Sequence, residues 1–279
     1  MTPSDEQALQ RRVGQTSEAT DTVSPRLLAS FRATLAPHVY DIDESIAPPG
    51  LHWCLAPELV AADSLGDDGH AARGALAAPA ALPRRMWASG KLGFLAPLRV
   101  NDEVRRRSTI SQVQNKQGRS GALCFVTVQH QWANQHGPVI DETQVIVFRA
   151  ATSAASAPQA PTTFRSTQTR AVQVDPVLLF RYSALTFNAH RIHYDLRYAT
   201  EVAHYADVVI HGPLQATLLL NFAARVGGRL PRTFSYLGIR AATGTQRLLL
   251  RAAAGHEGEL ALDVQDADGA VTMQAEVAW

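Results

Sequence analysis

The sequence is poor in cysteine and in net charge. Its only two cysteines among 279 residues, Cys54 and Cys124, stand in the apolar stretches HWCLAP and ALCFVTV without a CxxC spacing. This placement argues against a disulfide framework or a zinc site and favours two reduced cysteines in the core. With 26 basic and 25 acidic residues, the net charge of +1 provides no overall field for nucleic acid or an anionic membrane. We therefore expect no nucleic-acid partner and no membrane partner.

The sequence also lacks long apolar runs. No stretch approaches the roughly 20 apolar residues of a membrane-spanning helix, and the first residues, MTPSDEQALQRR, lack the apolar segment of a signal peptide. We therefore expect a cytoplasmic protein. With 46% hydrophobic residues, the chain can bury one large core or two modest ones.

Two stretches are predicted to be unstructured: the polar residues 1–23, and residues 151–169, which are rich in Ala, Ser, Thr and Pro. The second stretch is interpreted as a linker between residues 24–150 and residues 170–279. Each part ends in a series of predicted antiparallel strands. These are STISQVQ, ALCFVTVQHQW and TQVIVFRA in the first part, and LLLRAAA, ELALDVQD and VTMQAEVAW in the second. The similar order predicts a duplicated unit.

Each unit needs a helix to cover its sheet. In the second unit, HGPLQATLLLNFAARVGG has Pro213 in its first turn, Gly227 and Gly228 at its end, and apolar residues on nearly all faces. This pattern predicts a buried helix wrapped by the sheet. Asp175 and Ser24, each followed by proline, are predicted to cap two shorter helices. The first unit has no second long apolar helix, so its central helix is either shorter or degenerate.

Two motifs in the second unit, FNAHRIHYD and VIHGPLQATLL, resemble those of the MaoC-like hydratases and dehydratases. The first is similar to the family's hydratase motif of aspartate, any residue, asparagine, proline, an aliphatic residue and histidine. The second is similar to the His-Gly start of the family's central helix. In the first unit, LGDDGH, LPRRMWASGKLGFLAPLRVND and GRSGALCFVTVQHQW look like the N-terminal half of the family's longer branch. The resemblance, over roughly Ser24 to Trp279, implies an α+β double hotdog: two antiparallel sheets, each wrapping a helix, joined by a linker. It also implies a degenerate N-terminal hotdog and a catalytic C-terminal one.

The resemblance implies addition of water to an enoyl thioester, which needs a base, a proton donor and stabilisation of the thioester oxygen. His193 falls at the family's catalytic histidine, and Gly212 opens the long helix, where a free N–H can polarise the oxygen. Asn188 stands where the commoner pattern has aspartate, and His190 stands at the pattern's asparagine. Since an amide cannot act as a carboxylate base, Asn188 either positions the water or thioester or is a turn residue. Asp195 or a backbone carbonyl would fix the tautomer of His193.

The substrate class depends on the arginines. A second carboxylate on the substrate would be recognised by a bidentate arginine. Arg191 is the closest candidate in sequence, followed by Arg84, Arg85 and Arg240, and each of them could equally face solvent or the phosphates of coenzyme A. The remaining candidate substrate contacts are His190, Asp195, His211 and Trp87.

The HxxH spacing of His190 and His193 suggests a metal, because residues three apart share one face of a helix. No further Cys, His or Glu completes a recognisable ligand set, so we expect no metal. Coenzyme A is part of the substrate, and no separate cofactor is expected. Two fused hotdogs can pair within one chain, so a monomer and a homodimer both remain open.

The resulting hypothesis is an enoyl-CoA hydratase that acts on a short, branched dicarboxyl substrate such as mesaconyl-C4-CoA or itaconyl-CoA. One alternative is dehydration of 3-hydroxyacyl thioesters in fatty acid synthesis. A thioesterase and a non-catalytic acyl-CoA binding protein also remain alternatives, because a fold by itself does not determine an activity.

Overall fold

A computed structural model of the protein describes residues 10–41, 43–72, 74, 76, 78–79, 81–118, 121–150 and 165–279. Residues 151–164 of the predicted linker and residues 1–9 of the predicted unstructured segment lie outside these ranges. Within the described part of the chain, no helix is long and apolar enough to cross a membrane.

Among the described residues, ten strands form one antiparallel sheet in the order β1-β3-β4-β5-β2-β7-β10-β9-β8-β6. The strands are β1 (Thr16–Thr22), β2 (Arg84–Phe94), β3 (Glu103–Gly118), β4 (Gly121–Asn134), β5 (Gly137–Arg149), β6 (Gln168–Val174), β7 (Thr233–Gly238), β8 (Gln246–Ala254), β9 (Leu260–Gln265) and β10 (Val271–Ala278). From one edge inward, the first unit has the order β1-β3-β4-β5-β2. From the other edge inward, the second unit has the order β6-β8-β9-β10-β7, which is the same order of first, third, fourth, fifth and second strand. This repeat confirms the predicted duplication.

The prediction that residues 1–23 are unstructured is wrong for Thr16–Thr22. These residues form an edge strand that pairs with residues 103–109 of β3. The polar composition of this segment gave no strand signal, because an exposed edge strand needs few apolar side chains. At the other predicted boundary, Gln168 and Thr169 already belong to β6 rather than to a linker.

The two units meet where β2 pairs with β7, from Ser89 opposite Leu237 to Gly93 opposite Thr233. At this junction a Cβ atom on Gly90 would lie 2.2 Å from the hydroxyl oxygen of Tyr236. Only glycine leaves room for that side chain, so the continuous sheet depends on one small residue in a strand.

In the residues that the structure describes, three α-helices lie on or within the sheet: α1 (Pro25–Leu35), α2 (Pro176–Leu185) and α3 (Gly212–Gly227). The predicted caps are confirmed, because Ser24 Oγ accepts the N–H of Leu27 and Asp175 Oδ1 accepts the N–H of Leu178. Helix α3 ends at Gly228, whose φ of 65° suits glycine.

Helix α3 is buried from Leu214 to Ala224, as its apolar sequence predicts. Among the described residues between α1 and β2, the first unit has two short 3₁₀ turns, Leu51–Cys54 and Ala62–Ser64, and no α-helix. The chain just before the first of these turns packs on α3 instead, where Asn221 Nδ2 donates to the carbonyl oxygen of Pro49 at 2.8 Å. Cys54 and Cys124 are both buried, as predicted. Both units contribute to the main core around α3, and the first unit also has a second, smaller core that includes Cys124.

Candidate active site

His193 lies at the end of a 3₁₀ turn, Arg191–His193, and its side chain is buried. Its Nδ1 atom is 2.7 Å from the carbonyl oxygen of Val209. A carbonyl only accepts hydrogen bonds, so Nδ1 carries the proton and Nε2 keeps its lone pair. Burial lowers the pKa of His193 to about 4, against the smaller opposing effect of the Val209 bond. The ring is therefore a neutral base at physiological pH, and a backbone carbonyl fixes its tautomer.

The imidazole of His211 stacks on that of His193, with centroids 3.7 Å apart. His211 Nε2 lies 2.8 Å from Ser183 Oγ on α2, while its buried Nδ1 has no hydrogen-bond partner among the described residues. Burial and the neighbouring histidines lower the pKa of His211 well below its usual value. Because His211 directly precedes α3, the stacking connects His193 to the start of that helix.

Gly212 begins α3 beside the indole ring of Trp87. A Cβ atom on Gly212 would lie 3.1 Å from Trp87 Cε3, so a larger residue would press on the ring. Trp87 in turn stacks on Tyr236, with centroids 4.0 Å apart. The first N–H groups of a helix have no partner within the helix and form its positive end. The site thus combines a neutral histidine, a flat aromatic wall and a helix N-terminus.

Asn188 and His190 form a turn just before His193. The Oδ1 atom of Asn188 accepts the backbone N–H of His190 at 3.0 Å, which is the turn role considered from the sequence. This leaves Nδ2 as the polar group of Asn188 for any contact with water. The ring of His190 lies 5.5 Å from that of His193, centroid to centroid, and is nearly perpendicular to it.

Arg191 and Asp195, both predicted to contact the substrate, bind each other instead. Arg191 Nε and Nη2 donate to Asp195 Oδ2 at 3.0 Å and 2.7 Å, and Nη1 donates to the carbonyl oxygen of Asp67 at 2.9 Å. Asp195 also accepts the backbone N–H of Tyr198. The prediction that both residues contact the substrate stays a prediction, and in this structure their polar atoms have protein partners.

The structure adds two residues that the sequence analysis did not assign to the site, Asp68 and His70 of the LGDDGH motif. His70 Nδ1 lies 3.0 Å from Asp68 Oδ2, and the His70 ring lies 4.3 Å from that of His190. Burial raises the pKa of Asp68, but the hydrogen bonds from His70 outweigh it, so the pKa is lowered and the carboxylate is charged. The sequence signal that could have identified them is Gly69, which stands between the ionisable Asp68 and His70 in a short polar loop.

Among the described residues, Asp68, His70 and His190 form one group with metal-binding atom types within 4.8 Å of one another. The charge of Arg85 acts on His190 and opposes a further cation. The hydrogen bond between Asp68 and His70 already uses one such atom of each residue. We therefore assign no metal to this group.

Of the four arginines considered from the sequence, three have protein partners. Arg84 donates to the carbonyl oxygen of Ala203, Arg191 binds Asp195, and Arg240 lies 3.0 Å from Asp266. Within the described residues, the guanidinium of Arg85 makes no hydrogen bond. Burial lowers its pKa, while the more distant carboxylates of Glu58 and Asp68 raise it. Arg85 is thus the arginine whose donors are available to a ligand.

A sheet wrapped around a buried helix, with a neutral histidine at the helix start, defines a hotdog protein of the hydratase and dehydratase class. The family model described as "Hydroxyacyl-thioester dehydratase type 2" matches residues 50–243. The chain belongs to this family and is a hydro-lyase, as the motifs predicted.

A curated relative supports this assignment, and solved structures show the fold. The chain is 39% identical over 227 residues to mesaconyl-C(4)-CoA hydratase of Chloroflexus aurantiacus, covering 80% of this chain and 81% of the relative. A MaoC-like dehydratase of Phytophthora capsici superimposes with a TM-score of 0.72 at 14% identity, over 97% of both chains. A Mycobacterium tuberculosis protein with a double hotdog fold superimposes with a TM-score of 0.59 at 13% identity, over 95% of both chains. The predicted double hotdog is confirmed.

Proposed function

We propose that the protein hydrates a short enoyl-CoA thioester that carries a second carboxylate, such as mesaconyl-C4-CoA or itaconyl-CoA. The observation that carries this proposal is the neutral, buried His193 with its free Nε2 atom, placed beside the start of α3. The relative named mesaconyl-C(4)-CoA hydratase supports the substrate class.

In the proposed reaction, His193 Nε2 removes a proton from water as the water oxygen bonds to the β carbon of the substrate. Negative charge then develops on the thioester oxygen. The N–H of Gly212 and the positive end of α3 would stabilise this charge, and Pro213 contributes no N–H. The stacked ring of His211 holds His193 in orientation without adding a charge. Asn188 would orient the water through Nδ2.

Arg85 is the proposed partner of the second carboxylate. Its donors are available, and it lies two residues before Trp87 on β2, so both side chains are on the same face of that strand. Two residues along a strand span roughly 7 Å, which is about the length of a short dicarboxyl acyl group. A thioester at Gly212, beside Trp87, would therefore direct its far end toward Arg85.

Dehydration of a 3-hydroxyacyl thioester is the second candidate, favoured by the description of the matching family. The same groups would act in reverse, with His193 protonating the leaving hydroxyl. A monocarboxyl substrate would leave Arg85 without an anionic partner, which is why hydration of a dicarboxyl substrate is the first candidate.

Hydration is tested with crotonyl-, mesaconyl-C1-, mesaconyl-C4- and itaconyl-CoA by following the loss of the conjugated thioester absorbance. We expect turnover of at least one dicarboxyl substrate, and a loss of about 100-fold or more in kcat for His193→Ala. The matched control is His136→Ala, which removes an exposed histidine in the turn between β4 and β5. No turnover of any thioester, with binding retained, would instead indicate an acyl-CoA binding protein.

A further inference from the structure

In the second unit, Asn188 stands where the resembling motif has a carboxylate, so the motif supplies no carboxylate to accompany His193. Hydration needs both a group that takes a proton from water and a group that gives one to the α carbon. In this structure, the other ionisable pair beside the histidines comes from the first unit. It consists of Asp68 and His70, more than 100 residues earlier in the chain.

The loop that carries this pair is closed on itself. The N–H of Gly66 donates to the carbonyl oxygen of His70 at 2.7 Å, and the N–H of Gly69 donates to that of Gly66 at 2.9 Å. The carboxylate of Asp68 uses both oxygens on His70, accepting the backbone N–H with Oδ1 and facing the ring with Oδ2. The orientation of the His70 ring is therefore set within the loop.

The same loop is docked directly on the segment that leads to His193. The backbone N–H of Arg191 donates to the carbonyl oxygen of Asp68 at 2.9 Å. The guanidinium of Arg191 donates to the carbonyl oxygen of Asp67, also at 2.9 Å. A Cβ atom on Gly69 would lie 2.0 Å from the carbonyl oxygen of Ala189, and the φ of Gly69 is +88°. Glycine is required here both for its conformation and for the close approach.

The charges around His70 suit proton transfer. With Nδ1 donating to the charged carboxylate of Asp68, the Nε2 atom of His70 remains for another partner. The side chains of His70 and Asp68 are 26% and 23% exposed, so His70 can exchange protons with solvent. The ring of His190 lies 4.3 Å from that of His70 and 5.5 Å from that of His193, centroid to centroid, so the three histidines are neighbours. The charge of Arg85 acts on His190, and the charges of Glu58 and Asp68 act on Arg85.

We infer that the first unit completes the active site, with His70 as the proton donor to the α carbon and Asp68 as the residue that positions it. This inference rests on the proposed hydration. It gives the degenerate unit a direct part in the chemistry and accounts for the missing carboxylate at position 188.

The proposed step balances without a further reactant. A water O–H bond breaks, its proton moves to His193 Nε2, and the water oxygen bonds to the β carbon. The π electrons of the alkene form the enolate of the thioester. The enolate then takes a proton from His70 Nε2, forming the α C–H bond. The proton held by His193 returns to His70 through solvent, so that one water is added per turnover.

The first test compares two adjacent carboxylates in the full-length enzyme. For Asp68→Asn we expect kcat to fall by about 100-fold with little change in KM, because the variant removes the carboxylate that orients the ring of His70. Asp67→Asn is the matched control, since this residue contacts the site through its backbone carbonyl. Equal losses in the two variants would overturn the inference.

Chemical rescue separates proton transfer from a structural role. We expect His70→Ala to lose about 100-fold in kcat and to regain part of it with added imidazole. Full activity of His70→Ala would overturn the inference, as would a loss that imidazole does not restore. If the wild type turns over none of the thioesters, the proposed function fails as well. Wild-type turnover together with a fully active His70→Ala enzyme overturns only the role of His70.

The docking of the loop is tested with two glycines. Gly69→Ala places a methyl group against Ala189 and should lower kcat about as much as His70→Ala. Gly66→Ala brings its Cβ no closer than 3.4 Å to a neighbouring atom and should leave kcat within a few-fold of the wild type. A fully active Gly69→Ala enzyme would contradict the required position of the loop.

Discussion

The imidazole rings of His193 and His211 lie face to face, with centroids 3.7 Å apart and planes inclined by 17°. Two imidazolium ions could not share this arrangement, because like charges at such a distance in a buried site repel strongly. Burial lowers the pKa of both rings, so both are neutral. The stacking therefore preserves the basic form of His193 and places it beside the first turn of α3.

The pH dependence of the hydration rate should reflect this neutral histidine. Only the unprotonated ring of His193 can accept a proton, and its pKa is lowered to about 4. We expect the acidic limb of the kcat/KM profile to have its midpoint nearer pH 4 than pH 6.5. The measurement is a kcat/KM profile with the best substrate of the thioester panel. A midpoint at 6.5 would contradict a desolvated base.

Stability should decrease when the solution is acidified. Burial lowers the pKa of His52 and of His193 to about 4, whereas the unfolded chain binds protons near 6.5. Above pH 6.5 these two histidines are neutral in both the folded and the unfolded state. Between pH 6.5 and about 4, they gain protons only in the unfolded state. The free energy of unfolding should therefore fall across this window, by up to about 3 kcal/mol per fully buried histidine.

Urea denaturation at pH 7.0, 5.5 and 4.5 measures this effect. His52→Gln should reduce the difference between pH 7.0 and pH 4.5, because it removes one of the contributing groups. An unfolding free energy that is independent of pH over this range would contradict the neutral, buried state of these histidines.

Arg85 should determine selectivity for dicarboxyl substrates. Removing the guanidinium in Arg85→Ala should lower kcat/KM for mesaconyl-C4-CoA or itaconyl-CoA by about 100-fold, the size expected for a charged bidentate contact. Crotonyl-CoA lacks the second carboxylate, so its kcat/KM should change by no more than a few-fold. Arg181→Ala, which removes an exposed arginine of α2, is the control. Equal losses for both substrate types would assign Arg85 to coenzyme A or to the fold.

The junction of the two units should be sensitive to one methyl group. In Gly90→Ala the new Cβ would lie 2.2 Å from the Tyr236 hydroxyl oxygen and 2.7 Å from the carbonyl oxygen of Thr143. We expect a loss of about 1–3 kcal/mol in unfolding free energy, the usual cost of overpacking. Gly93→Ala, in the same strand, meets no atom within 4 Å and is the matched control. Equal stability of the two variants in urea denaturation would contradict the tight junction.

Local signals in the sequence predicted the helices well. Ser24 and Asp175 cap α1 and α2 through side-chain bonds to residues three positions later, and Gly228 ends α3. Each of these signals acts within one helical turn, so neighbouring residues suffice to read it. Edge strand β1 was missed because its pairing partner lies more than 80 residues away and its own pattern is polar.

The candidate site likewise contains residues that the sequence predicted and contacts that it did not predict. His193 and Gly212 were identified from the sequence because two motifs carry them, and the structure places them at one end of α3. Arg191 was also in a motif, but its bonds to Asp195 and to the backbone of Asp67 give it a structural role. A motif specifies a residue type at a position and leaves open which partner that residue binds.

The sequence by itself determined the helices, three strands of each unit, the duplicated architecture and the central histidine, because periodicity, caps and motifs are encoded over short distances. Only the tertiary structure decided that Val209 fixes the His193 tautomer and that Asp68 and His70 reach the site from the first unit. These contacts depend on the pairing of β2 with β7 and on the packing of both units around α3. Such long-range contacts form only when the whole sheet closes on its core, and no short stretch of the sequence encodes them.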